Sequence, residues 1–233
     1  MAENYFLSHG FTTSELYATS WEDNNAFKAF TRTHNCGNII RLRKFVEAVL
    51  KYTGSAKVSI IAHSMGVTLS RKVVKGGRVT GSGNSCDIGP PLTDSVDAFI
   101  GISGANHGLC TCTGTAPMLY PTCSKTTGFY PGEACNSKSS KCGEQVQDAC
   151  STGRVYSSYL TQLNTDRTRE AARVYSIWSQ ADDLILNHDS VWGAPTSLVP
   201  SSDSFTILPN STHIQSKDDT SLIQWNYISS SFV

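Results

Sequence analysis

Nothing in this sequence carries a bulk charge: nineteen basic and nineteen acidic residues cancel, and only 16% of the chain is charged at all. No long-range field therefore draws in nucleic acid or an anionic membrane surface. Long apolar runs are missing too, and each stops after a few residues. A helix that crosses a bilayer needs about 20. Paired C-x-x-C hooks and a neighbouring His pair are absent, which argues against a zinc module. No internal repeat or linker interrupts the 233 residues, so residues 1–233 read as a single domain with room for a sizeable core. Met1-Ala2-Glu3-Asn4 also lacks the basic and apolar regions of a secretory leader.

Cysteine, by contrast, is plentiful. Cys36, Cys86, Cys110, Cys112, Cys123, Cys135, Cys142 and Cys150 make eight. An even number, concentrated after residue 86 in Ser/Thr/Gly/Pro-rich sequence, reads as a disulfide-stapled region. The stapled insertion is expected at about residues 108–152, with its pairing left open. Asn210-Ser211-Thr212 is a glycosylation sequon. Both features point to a secreted, extracellular protein whose leader is not in this chain.

Hydrophobic periodicity supplies the order of elements. Glu15 to Trp21 reads as a strand, and residues 22–38 as loop. Ile39, Leu42, Phe45, Val46, Val49 and Leu50 recur at three- and four-residue intervals, the mark of a helix that Gly54 closes. Lys57 to Ala62 reads as a buried parallel strand covered on both faces. A second helix runs from Met65 to Lys75. Val96–Ile102, Ala172–Trp178 and Ser204–Leu208 are further strands, with helices at Tyr156–Leu163 and about Leu222–Ile228. This alternation predicts an α/β fold with a mostly parallel sheet and helices on both faces.

Ala62-His63-Ser64-Met65-Gly66 falls where the 57–62 strand meets the 65–75 helix. A strand-to-helix turn this tight strains the backbone at Ser64 and requires small residues two before and two after it, here Ala62 and Gly66. It exposes the hydroxyl and aims the Met65 N–H at a developing oxyanion, above a helix N-terminus. A serine nucleophile needs a base and an orienting acid, which follow it along the chain in this kind of fold. His213 lies in the loop after the last strand, where a base belongs. His188 reads as a surface loop residue, while His9, His34 and His107 precede every candidate acid; His107 could line a cleft. Asp182 or Asp183, just past the strand ending at Trp178, can reach the rim that holds Ser64. Asp166 and Asp189 stand behind them. The one of Asp182 and Asp183 not used is expected to be an ordinary solvated charge.

Ala62-His63-Ser64-Met65-Gly66, Ser103-Gly104-Ala105-Asn106, Ser179-Gln180-Ala181-Asp182 and Thr212-His213 together resemble the class 2 lipase family. That family includes minimal bacterial α/β-hydrolase lipases and secreted, cysteine-rich nematode proteins, and the eight cysteines favour the latter. The resemblance spans essentially the whole chain. It implies an α/β-hydrolase fold, with Ser64 as nucleophile, Asp182 as acid and His213 as base. It further implies hydrolysis of carboxylic esters, lipid esters above all, without metal or organic cofactor. The substrate partner would be a lipid or small ester met in transient contact with a lipid interface.

His9-Gly10 has the residue pair of an oxyanion turn, the second half of an oxyanion hole. Only Phe11 to Ser14 separate it from the expected strand at Glu15, whereas a parallel crossover takes about a dozen residues. The stretch reads instead as a helix end with Gly10 past the cap and Phe11 folding back. The first strand and the oxyanion turn of the family are then expected to lie outside this chain, leaving an unpaired edge beside the nucleophile strand. The alternative reading is accordingly a truncated lipase-like protein, catalytically weak or inactive, such as a secreted binding protein.

Overall fold

A computed structural model describes residues 2–22, 26–80, 85–133, 141–144 and 155–230. Its centre is a parallel sheet of β1 (Val58–His63), β4 (Val96–Ile102), β5 (Arg173–Ser179) and β8 (Ser204–Leu208), in that spatial order. Two short antiparallel pairs accompany it: β2 (Arg78–Val79) with β3 (Cys86–Asp87), and β6 (Ser190–Val191) with β7 (Ala194–Pro195). The helices are α1 (Ala2–Ser8), α2 (Cys36–Thr53), α3 (Met65–Lys75), α4 (Ala116–Leu119), α5 (Ser158–Thr165), α6 (Gln215–Asp218) and α7 (Ser221–Ser229).

Alternation along β4 explains the layering. Phe99 packs with Ala62, Val67, Val74 and Val174 on the α3 side. Ala98, Ile100 and Ile102 pack with Phe6 of α1, Ile177 of β5 and Ile228 of α7 on the other. Successive strand residues point to opposite faces, so a strand covered by helices on both must be apolar throughout. Beyond α3 a further cluster joins α2, α5 and the stapled segment through Ile39, Leu69, Cys112, Cys123 and Tyr159.

α2 begins earlier than the apolar stripe suggests, because Asn35 caps it and its side chain accepts the Asn38 N–H at 2.9 Å. Gly54 ends it in the left-handed region at φ 65°. Three disulfides lie among the described residues: Cys36–Cys86, Cys110–Cys142 and Cys112–Cys123. The first ties the start of α2 to β3 of the antiparallel β2–β3 pair across 50 residues. Closing a loop of that length removes about 4 kcal/mol of unfolded-chain entropy. Cys135, Cys150 and part of the expected 108–152 insertion lie outside the described residues.

Two expectations are corrected. Glu15 to Trp21 is not a strand. The Thr12 N–H and hydroxyl both bind the Glu15 carboxylate, at 2.8 and 2.7 Å, and the Tyr17 hydroxyl donates to the Ser14 carbonyl. These local side-chain bonds give the backbone an alternative to a ladder. Nor is β1 covered on both faces: Ser59 is exposed and Ile61 keeps 39% of its surface. β1 pairs with β4 along one edge, and among the described residues no strand pairs with the other.

Candidate active site

The four parallel strands end on one rim, and the candidate residues follow those ends. Ser64 links β1 to α3 with φ 58° and ψ −135°, a region that side-chain-bearing residues seldom enter. Its N–H donates to the Ile102 carbonyl of β4 at 2.9 Å, which holds the turn against the sheet. Its hydroxyl does not cap α3. Met65 opens α3, so its N–H has no acceptor within the helix.

The small residues around this turn act differently from the expectation. A Cβ on Gly66 would meet no heavy atom outside its own helix within 4 Å. The tight approach occurs at Gly101 and Gly104 instead, where a Cβ would come within 3.0 Å and 2.8 Å of the Val67 side chain. These two glycines let the end of β4 lie directly against α3. Sequence reasoning missed them, because nothing in a lone Gly tells which distant side chain approaches it.

His213 lies in the loop after β8. Its Nδ1 is 2.8 Å from Asp182 Oδ2. A carboxylate only accepts, so Nδ1 carries a proton, and in the neutral form of the ring Nε2 is the acceptor. That Nε2 is buried and has no hydrogen-bond partner among the described residues. The ring of His63, the residue before Ser64, packs against the His213 ring with centroids 4.6 Å apart. Burial would raise the Asp182 carboxyl, yet the His213 hydrogen bond and charge and the N–H groups of Ile185 and Leu184 outweigh it and hold it below its ordinary value. Those two N–H groups reach Oδ1 at 2.8 and 2.9 Å, so the oxygen not used by the ring is also satisfied.

Asp183 is no free surface charge: its Oδ1 accepts the His213 main-chain N–H at 2.8 Å. The His213 carbonyl in turn accepts from His63 Nε2 at 2.9 Å and from the Ser216 hydroxyl at 2.7 Å. Burial, followed by the His213 charge, pushes the His63 ring down to about 4, so it is neutral. The Ser103-Gly104-Ala105-Asn106 turn after β4 is pinned from below. Arg71 of α3 donates to Asn106 Oδ1 at 2.9 Å while its Nε pairs with the fully buried Glu170 at 2.8 Å.

The remaining candidates lie apart from this arrangement. His9 follows α1, with its ring stacked on Tyr5 and tilted against Trp225 of α7; Gly10 takes φ 103° and Phe11 sets its ring edge-on to Phe6. His34 is fully buried between Thr68 and Thr127, and burial holds it at about 4. His107 packs on Tyr156, lowered to about 4 by burial and the Arg71 charge. His188 is exposed, with Nδ1 3.2 Å from the Gln180 carbonyl. Asp166 caps α5. Asp189 is buried against Ser197, and burial raises its carboxyl to about 7.

A family model described as Lipase (class 2) matches residues 1–226. Among solved structures the chain is similar to the bifunctional GH43-CE protein of Bacteroides eggerthii, at 14% identity over 84% of this chain and with a TM-score of 0.48. It spans 27% of that protein's length. It is also similar to α/β hydrolase domain-containing protein 10 from mouse, at 16% identity, 83% of this chain, 69% of that one and a TM-score of 0.41. A structure described among carboxylesterases of the thaumarchaeon Nitrososphaera gargenis matches at 14% identity, 93% of this chain, 80% of that one and a TM-score of 0.41.

Proposed function

The chain belongs to the class 2 lipase family, and from that premise we propose that it is a serine carboxylic-ester hydrolase acting on lipid esters through Ser64, His213 and Asp182. The observation that carries the reading is the His213 ring: Nδ1 held by a buried carboxylate, Nε2 buried and without a partner among the described residues, beside the nucleophile turn. A neutral imidazole oriented in this way is a base waiting for a hydroxyl proton.

Ser64 Oγ attacks the ester carbonyl as His213 Nε2 takes its proton. Asp182 stabilises the imidazolium that forms and stays ionised. The Met65 N–H, at the positive end of α3, stabilises the oxyanion. His213 then returns the proton to the leaving alcohol, and water cleaves the acyl-enzyme by the same exchange. This route draws on no metal or organic cofactor.

The disulfides fit an oxidising, extracellular setting. Among the described residues no helix is long and apolar enough to cross a membrane. Hydrolysis of short- and long-chain p-nitrophenyl esters by the wild type and by Ser64→Ala tests the proposal. Loss of turnover by about 10⁴-fold or more is expected for the variant. Equal rates for the two proteins would overturn it.

A further inference from the structure

We propose that Asp183 and His63 are positioning residues that clamp the His213 main chain, Asp183 at its N–H and His63 at its C=O, so that the ring is delivered to Ser64. The inference rests on the roles proposed for Ser64, Asp182 and His213. Asp182 settles the tautomer and rotation of the ring, but a bond to the ring does not place the peptide from which it hangs. That peptide lies between β8 and α6, in a stretch without helix or strand. Other contacts must therefore set its position.

Those contacts come from the ends of the other three strands. Beyond β5, Asp183 Oδ1 accepts the His213 N–H at 2.8 Å. His63, the last residue of β1, donates from Nε2 to the His213 carbonyl at 2.9 Å. A carbonyl only accepts, so the His63 proton sits on Nε2. Ser216 donates to the same carbonyl at 2.7 Å, and its hydroxyl lies 2.8 Å from that of Ser103, the residue after β4. Both sides of His213 are therefore tied to the sheet. One tie runs through the residue that immediately precedes Ser64, so nucleophile and base are located relative to each other through a single side chain.

The adjacent aspartates thus divide the work. Asp182 is buried and holds the ring, whereas Asp183 is exposed and holds the backbone of the same residue. An exposed carboxylate with no task would be solvated rather than fixed on an amide 30 residues away. Catalysis is steep in geometry: a displacement of about 1 Å costs on the order of a hundredfold in rate. The clamp should therefore act on kcat and leave substrate binding alone.

Four variants test it. Asp183→Ala removes the acceptor, while Asp183→Asn keeps an oxygen in its place. His63→Leu removes the donor, while His63→Gln keeps an N–H. Asp183→Ala and His63→Leu should lower kcat by about tenfold to a hundredfold with KM roughly unchanged, and Asn and Gln should recover most of it. Hydrogen exchange at the His213 amide gives a readout independent of turnover. It should run about tenfold or more faster in Asp183→Ala than in the wild type or Asp183→Asn. Undiminished kcat in Asp183→Ala and His63→Leu would overturn the clamp. So would an Asn variant no better than Ala, since charge rather than a hydrogen bond would then be at work. If the wild type and Ser64→Ala are equally inactive, the proposed chemistry has failed. The amide then decides alone, and unchanged exchange in Asp183→Ala overturns the clamp.

Discussion

Ser64 occupies φ 58° and ψ −135°, a conformation that costs of order 1–3 kcal/mol and persists only where its surroundings enforce it. Here the Ile102 carbonyl and the first turn of α3 do so. The ring of His213, packed on that of His63, depends on one oxygen of Asp182, whose other oxygen is already occupied by two backbone N–H groups. Asp182→Asn should keep the fold and lower kcat by about 10⁴-fold, because an amide can donate to Nδ1 and stabilise the wrong tautomer. Single-turnover kinetics with a p-nitrophenyl ester would read this directly. A loss of less than about tenfold would show that the acid lies elsewhere. At this scale the sequence was informative about residue types and chain order, and His213 stands where the order Ser, acid, His puts it. The choice between Asp182 and Asp183 could not be read from composition or spacing. Neighbouring strand-end residues point in different directions, and only folded geometry shows that one meets the ring and the other the amide.

The packing of β4 on α3 places the whole rim. Gly101 and Gly104 lie so close to Val67 that added carbons would overlap its methyl groups. Gly104→Ala should therefore destabilise the protein by about 1–3 kcal/mol, the usual cost of overpacking. Gly66→Ala, with open space around it, should cost nothing measurable, since alanine is the better helix residue. Urea denaturation of the two variants separates them. Truncating Val67 to Ala alongside Gly104→Ala should recover part of the loss as a coupling energy, because the two side chains share one contact. Equal stability of Gly104→Ala and the wild type would mean that the loop relaxes away from α3. Apolar periodicity located β1, α3, β4, β5 and β8 well. It misassigned Glu15–Trp21, where a Thr/Glu side-chain turn satisfies the backbone that a strand would have used.

Over the whole molecule, buried histidines dominate the expected response to acid. His34, His63 and His107 are each pushed down to about 4, while the same residues in the unfolded chain take up protons near 6.5. Their folded affinity for protons is depressed, so the unfolded state gains protons first and stability falls as pH drops from about 6.5 towards 4. Asp189 acts in the opposite sense. Raised to about 7, it keeps one proton in the folded state that the unfolded chain has already released. The difference leaves an excess of nearly two protons in the unfolded state around pH 5. Stability should then fall by roughly 2 kcal/mol per pH unit there. Urea midpoints at pH 4.5, 5.5 and 6.5 would measure it, and a flat profile would show that these rings are hydrated.

The sequence by itself determined the α/β order, the Ala62–Gly66 turn, the disulfide-rich character and the family, because each is written in local periodicity or in a short run of residues. The exclusion of His9-Gly10 as a crossover turn by chain length assumed a strand at Glu15 that is not there; the helix-end reading stands on the folded geometry, with Gly10 at φ 103° and Phe11 packed back on Phe6. Only the tertiary structure decided which cysteines pair among those described and which glycines bear the contact with α3. It likewise decided that four strand ends meet on His213. Those facts depend on approaches between residues far apart in the chain, and no local pattern encodes the distance between two side chains that meet only after folding.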